Sequence, residues 1–468
     1  MDKLQAFASE LIATTRDHVF IRPEDGLLIL RPNRTQHLNG TAVEMLTMLY
    51  EQPEVDAPGV VRAIAGKYGV DEQTIAKDLD NLLLSLHRLL NDDPLGGPSV
   101  RMTPFGQHEI KFPVLSEIAL TYRCTHRCSF CYASAGPRGD RSGEMSTDDA
   151  KRVIDRIYDE AHVPTISFTG GEPTLRHDLP ELIAHAKGRG MRANLITNGI
   201  RCAKPEYVAQ LKAAELDSAQ VSLEAADAET HDAITKVPTS FERSIRAVRN
   251  LRAAEIHTHT NTTICPENAD HVLALVDFAL DELGSEYLSM NMVIRTGAAV
   301  TAGEMPKTIE YSDIGDILTP IIDRAQERGI RLVWYSPVPY CIFNPITAGI
   351  GSNSCAAADG LLSIGPTGEV LPCSSFEEGI GNLLHQTFDE VWNSRTARYW
   401  RRKEFLPPTC GNCDLKRICC GACPLYWDNV GGFDELDAVD PDRRAGKLAG
   451  LKWKLKRRYL GRTCGVGH

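Results

Sequence analysis

Apolar residues recur with two periods along this chain, and the switches between them divide it. Residues 19–30 (V-F-I-R-P-E-D-G-L-L-I-L) read as two short strands about a Pro-Glu-Asp-Gly turn. Val43, Leu46, Leu49 and Tyr50 then fall at helical spacing over residues 41–50, and a second helix is expected over 60–68 with Gly69 as its stop. A third helix starts at Asp71 and carries Ile75, Leu79, Leu82, Leu83, Leu86 and Leu90 on one face. Residues 93–112 follow, rich in turn-formers and polar side chains, and read as a linker. From Pro113 the pattern changes again. Strands are expected over 115–122, 165–168, 192–196, 219–223, 258–264 and 287–293, and helices over 146–162, 179–188, 204–214 and 241–254. Such alternation predicts an α/β fold, a parallel sheet under outer helices, with ligand-bearing loops at the strand C-termini. Beyond about residue 335 the periodicity weakens. Gly381-Asn-Leu, Phe388-Asp-Glu-Val-Trp and a basic amphipathic stretch over 448–460 are its main features, the last read as a solvated helix face.

Composition narrows the setting. The 468 residues are 43% apolar, enough for a sizeable core, and the net charge of −11 argues against bulk nucleic-acid binding. Without a run of membrane-spanning length or a signal-peptide layout, a cytoplasmic protein with no membrane partner is expected. Fourteen cysteines in that compartment point to metal or clusters rather than disulfides.

Three of them, Cys124, Cys128 and Cys131, stand at C-x3-C-x2-C after the first barrel strand. Three thiolates at that spacing can hold an iron–sulfur cluster or, with a fourth ligand, a zinc ion, and spacing alone does not choose. Downstream, Gly170-Gly171-Glu172-Pro173 follows the second strand. The pair resembles the signature of the radical S-adenosylmethionine (SAM) superfamily, with Phe130 at its aromatic position. That resemblance implies a partial (β/α)6 barrel and a 4Fe–4S cluster on three cysteines, whose fourth iron binds SAM and cleaves it to a 5′-deoxyadenosyl radical. It also implies a SAM site. Phe130 would pack near the adenine, Gly170 and Gly171 would let backbone approach the methionine part, and Glu172 would accept from its ammonium. Asn198, in Thr197-Asn-Gly, and Ser222 and Glu224, in V-S-L-E-A, match further cofactor-facing positions, although many relatives have Asp where Glu224 stands. Thr263, Asn268 and Arg295 are less diagnostic, and each also reads as a turn residue.

Eight cysteines lie between Cys341 and Cys423. From Cys355 they run C-x12-G-x4-C to Cys373, then Cys410-x2-Cys413-x5-Cys419-x3-Cys423, and a last cysteine stands at 464. This resembles the SPASM extension of radical SAM maturases. The resemblance implies two auxiliary 4Fe–4S clusters, the nearer on Cys341, Cys355, Cys373 and Cys423, the distal on Cys410, Cys413, Cys419 and Cys464. Cys341 is further upstream than the pattern has it and Cys464 further downstream, so Cys420 is an alternative. A zinc ribbon on Cys410, Cys413, Cys419 and Cys423 is the other reading of the residues themselves.

The N-terminal strand pair, the Leu38-Asn-Gly before a helix, and the last helix resemble the PqqD-like RiPP recognition element. Modules of that family bind the leader of a precursor peptide as an added strand, and an exposed sheet edge makes that natural. A DNA-binding winged helix is disfavoured: residues 1–90 hold nine Lys or Arg against thirteen Asp or Glu. The expected organisation is therefore a winged-helix-like α+β recognition domain (1–92), a linker (93–112), a radical SAM core (113–335) and a cysteine-rich SPASM domain (336–468). The expected activity is modification of a ribosomally made peptide by a thioether or carbon–carbon crosslink, with an external electron donor of the flavodoxin or ferredoxin type. A tetrapyrrole or other cofactor precursor is the alternative substrate, and an iron–sulfur electron-transfer or binding protein the non-enzymatic alternative.

Overall fold

The structure, a computed structural model, describes residues 1–32, 34–91, 100–101, 111–137, 142–301 and 308–439. Cys464, the basic stretch over 448–460 and most of the expected linker lie outside the described residues.

The N-terminal module opens on helix α1 (Asp2–Thr15), ahead of the first expected strand, with Leu4, Ala8, Leu11 and Ile12 buried at helical spacing. Strands β1 (Val19–Arg22), β2 (Leu27–Leu30) and β3 (Arg34–Leu38) form an antiparallel sheet, with helices α2 (Gly40–Glu51), α3 (Ala57–Tyr68) and α4 (Glu72–Leu90) packed on one core. Asn39, Asp56 and Asp71 cap the three helices, each accepting from the backbone N–H three residues on. Gly69 ends α3 in the left-handed region, as its position predicts. Along α4 the buried face ends on Leu89, with Leu90 half-buried. Within the expected linker, β4 (Val100–Arg101) pairs antiparallel with β3, so a two-residue strand of the chain itself occupies that edge.

The barrel strands are β5 (Leu115–Ala119), β6 (Thr165–Thr169), β7 (Arg192–Thr197), β8 (Ser218–Ser222), β9 (His257–Ile264) and β10 (Tyr287–Met292), parallel and neighbours in chain order. Two more parallel strands flank the six: β11 (Arg331–Trp334) beside β10, and β12 (Leu361–Ile364) beside β5. Each has only four residues, too few for a period to show. From β12 the chain turns back through β13 (Glu369–Leu371) and β14 (Gly381–Asn382), antiparallel, so the C-terminal segment continues the barrel sheet.

One face of these strands is apolar. Ile118, Phe168, Leu195, Val221, Ile264 and Met290 pack against the outer helices in one core. The other face is polar. Glu117, Ser167, Asn194, Gln220, Ser222, Asn261, Thr263 and Asn291 are half-buried and alternate with the core positions. They bond across strands: Asn194 Nδ2 to Ser167 Oγ at 3.2 Å, Asn261 Nδ2 to Asn291 Oδ1 at 2.7 Å, and Ser363 Oγ to Glu117 Oε1 at 2.5 Å. An ordinary closed barrel fills its interior with branched apolar side chains. This one keeps a lining that hydrogen-bonds.

The module sits at the N-terminal ends of the strands. Arg22, fully buried, binds Asp25 through two 2.8 Å contacts and donates to the Pro113 carbonyl at 2.6 Å, just ahead of β5. Arg31 donates to Gly190 O at 3.1 Å and Thr165 donates to Pro32 O at 3.2 Å, at the starts of β7 and β6. Among the described residues no helix is long and apolar enough to cross a membrane, and no disulfide forms.

Candidate functional site

The three-cysteine loop leaves the opposite, C-terminal end of β5 and is closed on itself by Cys124 N donating to Gly136 O at 3.0 Å. Four strand ends grip it. After β6, Gly171 N donates to Thr121 O at 2.7 Å and Glu172 N to Arg123 O at 2.8 Å. A Cβ on Gly170 or Gly171 would collide with those same carbonyls, and Gly170 has φ +135°, so only glycine allows this approach. After β7, Asn198 Nδ2 donates to Thr125 Oγ1 at 2.9 Å and to Cys124 Sγ at 3.6 Å. After β8, the helix Ala228–Thr235 accepts from Ser129 N at 3.2 Å and Arg127 N at 3.1 Å. After β10, Ala298 N donates to Cys131 O at 2.9 Å, and Gly297 passes so close to the Cys131 and Tyr132 carbonyls that a Cβ would not fit.

Burial raises all three thiols. Cys124 is pushed up to about 12, with the charge of Glu172 adding to burial and bonds from His126 N and Asn198 opposing. Cys128 is raised by burial, then by the charges of Glu224, Cys131 and Cys124. Cys131 is raised by burial and accepts from Ala135 N at 3.3 Å. Thiols so placed do not ionise unaided. A multivalent metal centre is the counter-charge that would make them thiolates, and backbone N–H donors to sulfur are what a cluster's ligands receive. Within the loop, Arg123 Nε, His126 Nε2 and Ser129 Oγ are buried without partners, as groups lining space for a polar occupant would be. The residues fit an iron–sulfur cluster with a polar co-ligand. Among the described residues no three Cys, His, Asp or Glu side chains converge tightly enough to grip a single ion.

Glu172 is buried, and its carboxylate joins the tops of two strands. Oε1 accepts from Thr174 N, Thr174 Oγ1 and Thr197 Oγ1 at 3.1, 2.5 and 2.7 Å, and Oε2 accepts from Asn198 N at 2.8 Å. Burial raises its pKa against those bonds. Oε2 retains a lone pair for a cationic ligand. Glu224, raised to about 8 by burial, accepts one bond, from Thr263 N at 2.8 Å. Ser222 ends β8 half-buried. Phe130 packs with Ile234, Cys265, Val293 and Ala299. The resemblance-derived residues Phe130, Gly170, Gly171, Glu172, Asn198, Ser222 and Glu224 thus gather around the cysteine loop or on the strand ends beside it.

Other expectations resolve differently. Asn268 spends its amide on Glu224 O, Thr263 O and Cys265 N, which is the turn role. Arg295 donates to Thr308 Oγ1 at 2.6 Å and lies 5.6 Å from the ring of Tyr426, in the C-terminal segment. Missed in the sequence were His126 and His231, buried with unpartnered Nε2 atoms and each lowered to about 4 by burial. No spacing singles out either one.

The C-terminal cysteines form two groups. Cys355 and Cys373 pack in one apolar cluster with Cys420, and Cys423 stands three residues beyond Cys420. Cys410, Cys413 and Cys419 form the other. Tyr340, next in the chain to Cys341, donates its N–H to Cys419 Sγ at 3.3 Å, so the chain at Cys341 runs beside this second set.

Residues 118–279 match the radical SAM superfamily, 355–414 the SPASM iron–sulfur cluster-binding domain, and 26–89 coenzyme PQQ synthesis protein D. The chain is 30% identical over 328 residues to the AdoMet-dependent heme synthase of Nitratidesulfovibrio vulgaris, covering 67% of this chain and 88% of that one. It is 28% identical over 323 residues to the PqqA peptide cyclase of Xanthomonas axonopodis pv. citri, covering 66% and 82%. Among solved structures, Streptococcus suis SuiB bound to S-adenosylmethionine matches with a TM-score of 0.65 at 17% identity, covering 88% of this chain and 96% of that one. SuiB bound to its precursor peptide SuiA matches with a TM-score of 0.63 at 16% identity and the same coverage.

Proposed function

Because the chain belongs to the radical SAM superfamily, we propose that it is a maturase that modifies a ribosomally synthesised precursor peptide, forming a thioether or carbon–carbon crosslink. Residues 1–92 would receive the peptide, 93–112 link, 113–335 carry the chemistry and 336–468 hold auxiliary clusters. Bound at Cys124, Cys128 and Cys131, a 4Fe–4S cluster with SAM supplies the 5′-deoxyadenosyl radical that removes hydrogen from substrate. Phe130, Gly170, Gly171, Glu172, Asn198, Ser222 and Glu224 would bind and orient SAM. Cys341, Cys355, Cys373, Cys410, Cys413, Cys419 and Cys423 would hold the further clusters, fed by an external flavodoxin- or ferredoxin-type donor.

The observation that carries the peptide reading is the PqqD-like module locked onto the barrel by the buried Arg22. The polar lining supports it. Its amide and hydroxyl side chains, among them Ser167, Asn194, Asn261 and Asn291, hydrogen-bond one another across strands and offer the same bonds to a peptide. PqqA peptide cyclase, named for a peptide, is a relative by sequence, and SuiB, solved bound to a precursor peptide, shares the fold. The heme synthase likeness favours a tetrapyrrole instead. Reconstituted anaerobically with iron, sulfide, SAM and reductant, the protein should change the mass of a short peptide encoded beside its gene and leave iron-porphyrin precursors unchanged. Turnover of the porphyrin precursor alone would exchange the two readings.

A further inference from the structure

Resting on the reading of the C-terminal segment as a carrier of iron–sulfur clusters, we propose that Cys341 joins Cys410, Cys413 and Cys419 as the four ligands of one cluster. Cys355, Cys373 and Cys423 are then the cysteines of the other. The assignment departs from the interleaved order that the motif implies, in which Cys341 belongs with Cys355 and the last ligand is Cys464.

Residues 338–341 run directly over Cys419. Tyr340 N donates to Cys419 Sγ at 3.3 Å, and Cys419 Sγ donates to Val338 O at 3.8 Å. Tyr340, Ile418 and Cys419 share an apolar cluster with Ile346 and Leu415, so this segment is packed there and not merely passing. The other two cysteines belong to the same coil, with Cys413 N donating to Cys410 O at 3.1 Å and Lys416 N to Cys413 O at 3.2 Å.

The second set is built separately. Ala358 N donates to Pro372 O at 2.8 Å, which ties the chain beside Cys355 to the chain beside Cys373. Cys423 donates its N–H to the buried Tyr311 hydroxyl at 3.2 Å. Between Cys419 and Cys423 the chain makes a left-handed turn, with φ +54° at Cys420, +59° at Gly421 and +69° at Ala422. That turn lets two cysteines four positions apart serve different sets. Cys420, buried beside Cys355, spends its thiol on Arg417 O at 3.5 Å.

The test uses the full chain with Cys124, Cys128 and Cys131 all replaced by Ala, so that only the C-terminal clusters remain. Iron content and the low-temperature EPR spectrum of the reduced protein are read. Cys341→Ala should remove about half the iron and the same signal that Cys413→Ala removes, and the double variant should lose no more than either. Combined with Cys373→Ala, it should lose both signals. Cys341→Ser, with circular dichroism unchanged, should shift the same signal, which separates ligation from a packing role. The proposal is overturned if Cys341→Ala behaves as Cys373→Ala does, or if it leaves both signals intact while Cys464→Ala removes the one lost with Cys413. A parent protein without iron would overturn the reading beneath it as well.

Discussion

The main-chain N–H of Asn198 donates to Glu172 Oε2 at 2.8 Å, tying the end of β7 to the glycine turn after β6. From that fixed point the Asn198 amide reaches Thr125 and Cys124. One carboxylate therefore holds both the turn and the residue that touches the cysteine loop.

Replacing Glu172 by Gln should show this. All four bonds to the carboxylate are donated to it, so an amide NH2 must confront at least one donor with another. Stability should fall by about 1–3 kcal/mol, read from the urea midpoint. SAM binding to the reconstituted protein should weaken as well, measured by equilibrium dialysis.

Gly171→Ala should displace the loop itself, because its Cβ would meet Arg123 O and backbone cannot move aside cheaply. Iron bound at the first cluster should drop sharply. Gly66→Ala, in α3 with nothing within 4 Å of the new Cβ, is the control and should stabilise the protein by about 0.5–1 kcal/mol. Iron content per chain and the thermal midpoint check the pair.

Just past the glycine turn, Asp178 is paired with Arg176 at 2.6 Å and accepts from Thr147 Oγ1 at 2.7 Å. Burial pushes its pKa up, but the Arg176 and Thr147 bonds outweigh that and bring it to about 2. The folded value lies below the unfolded one, so this stability is present above about pH 4 and lost as the pH falls toward 2. Asp178→Asn should cost about 2 kcal/mol at pH 7, about half that at pH 3 and little at pH 2, measured by denaturant titration at each pH.

The N-terminal module and the cysteine loop stand at opposite ends of the barrel strands. The module's contacts lie at the strand N-termini, at Pro113, Thr165 and Gly190, whereas the cysteine loop leaves the C-terminal ends. The six residues of β7 span about 20 Å, or about six extended peptide residues at the least. Precursors with a spacer shorter than about six residues between leader and target should bind, by fluorescence anisotropy, yet go unmodified, by mass spectrometry.

How far the sequence reveals this molecule depends on the residue type. The six central strands are legible because apolar runs alternate with helical periods, and Gly170-Gly171-Glu172-Pro173 is legible because only glycine permits the approach to Thr121 and Arg123. The strands β11 and β12 were not, since four residues carry no period and their pairing with β10 and β5 is tertiary. Nor was the position of Cys341. Motif spacing orders cysteines along the chain, but the segment from Val338 to Cys341 is carried to Cys419 by packing around Tyr340 and Ile418. His126 and His231 look like ordinary histidines until burial leaves both Nε2 atoms without partners.

If Cys124, Cys128 and Cys131 hold a cluster at which SAM binds and is split, the anaerobically reconstituted full chain should form 5′-deoxyadenosine from SAM and reductant. A Cys128→Ala variant with the same auxiliary iron should form none. Wild-type protein loaded with iron that makes no 5′-deoxyadenosine, or a variant that makes as much, would overturn the assignment.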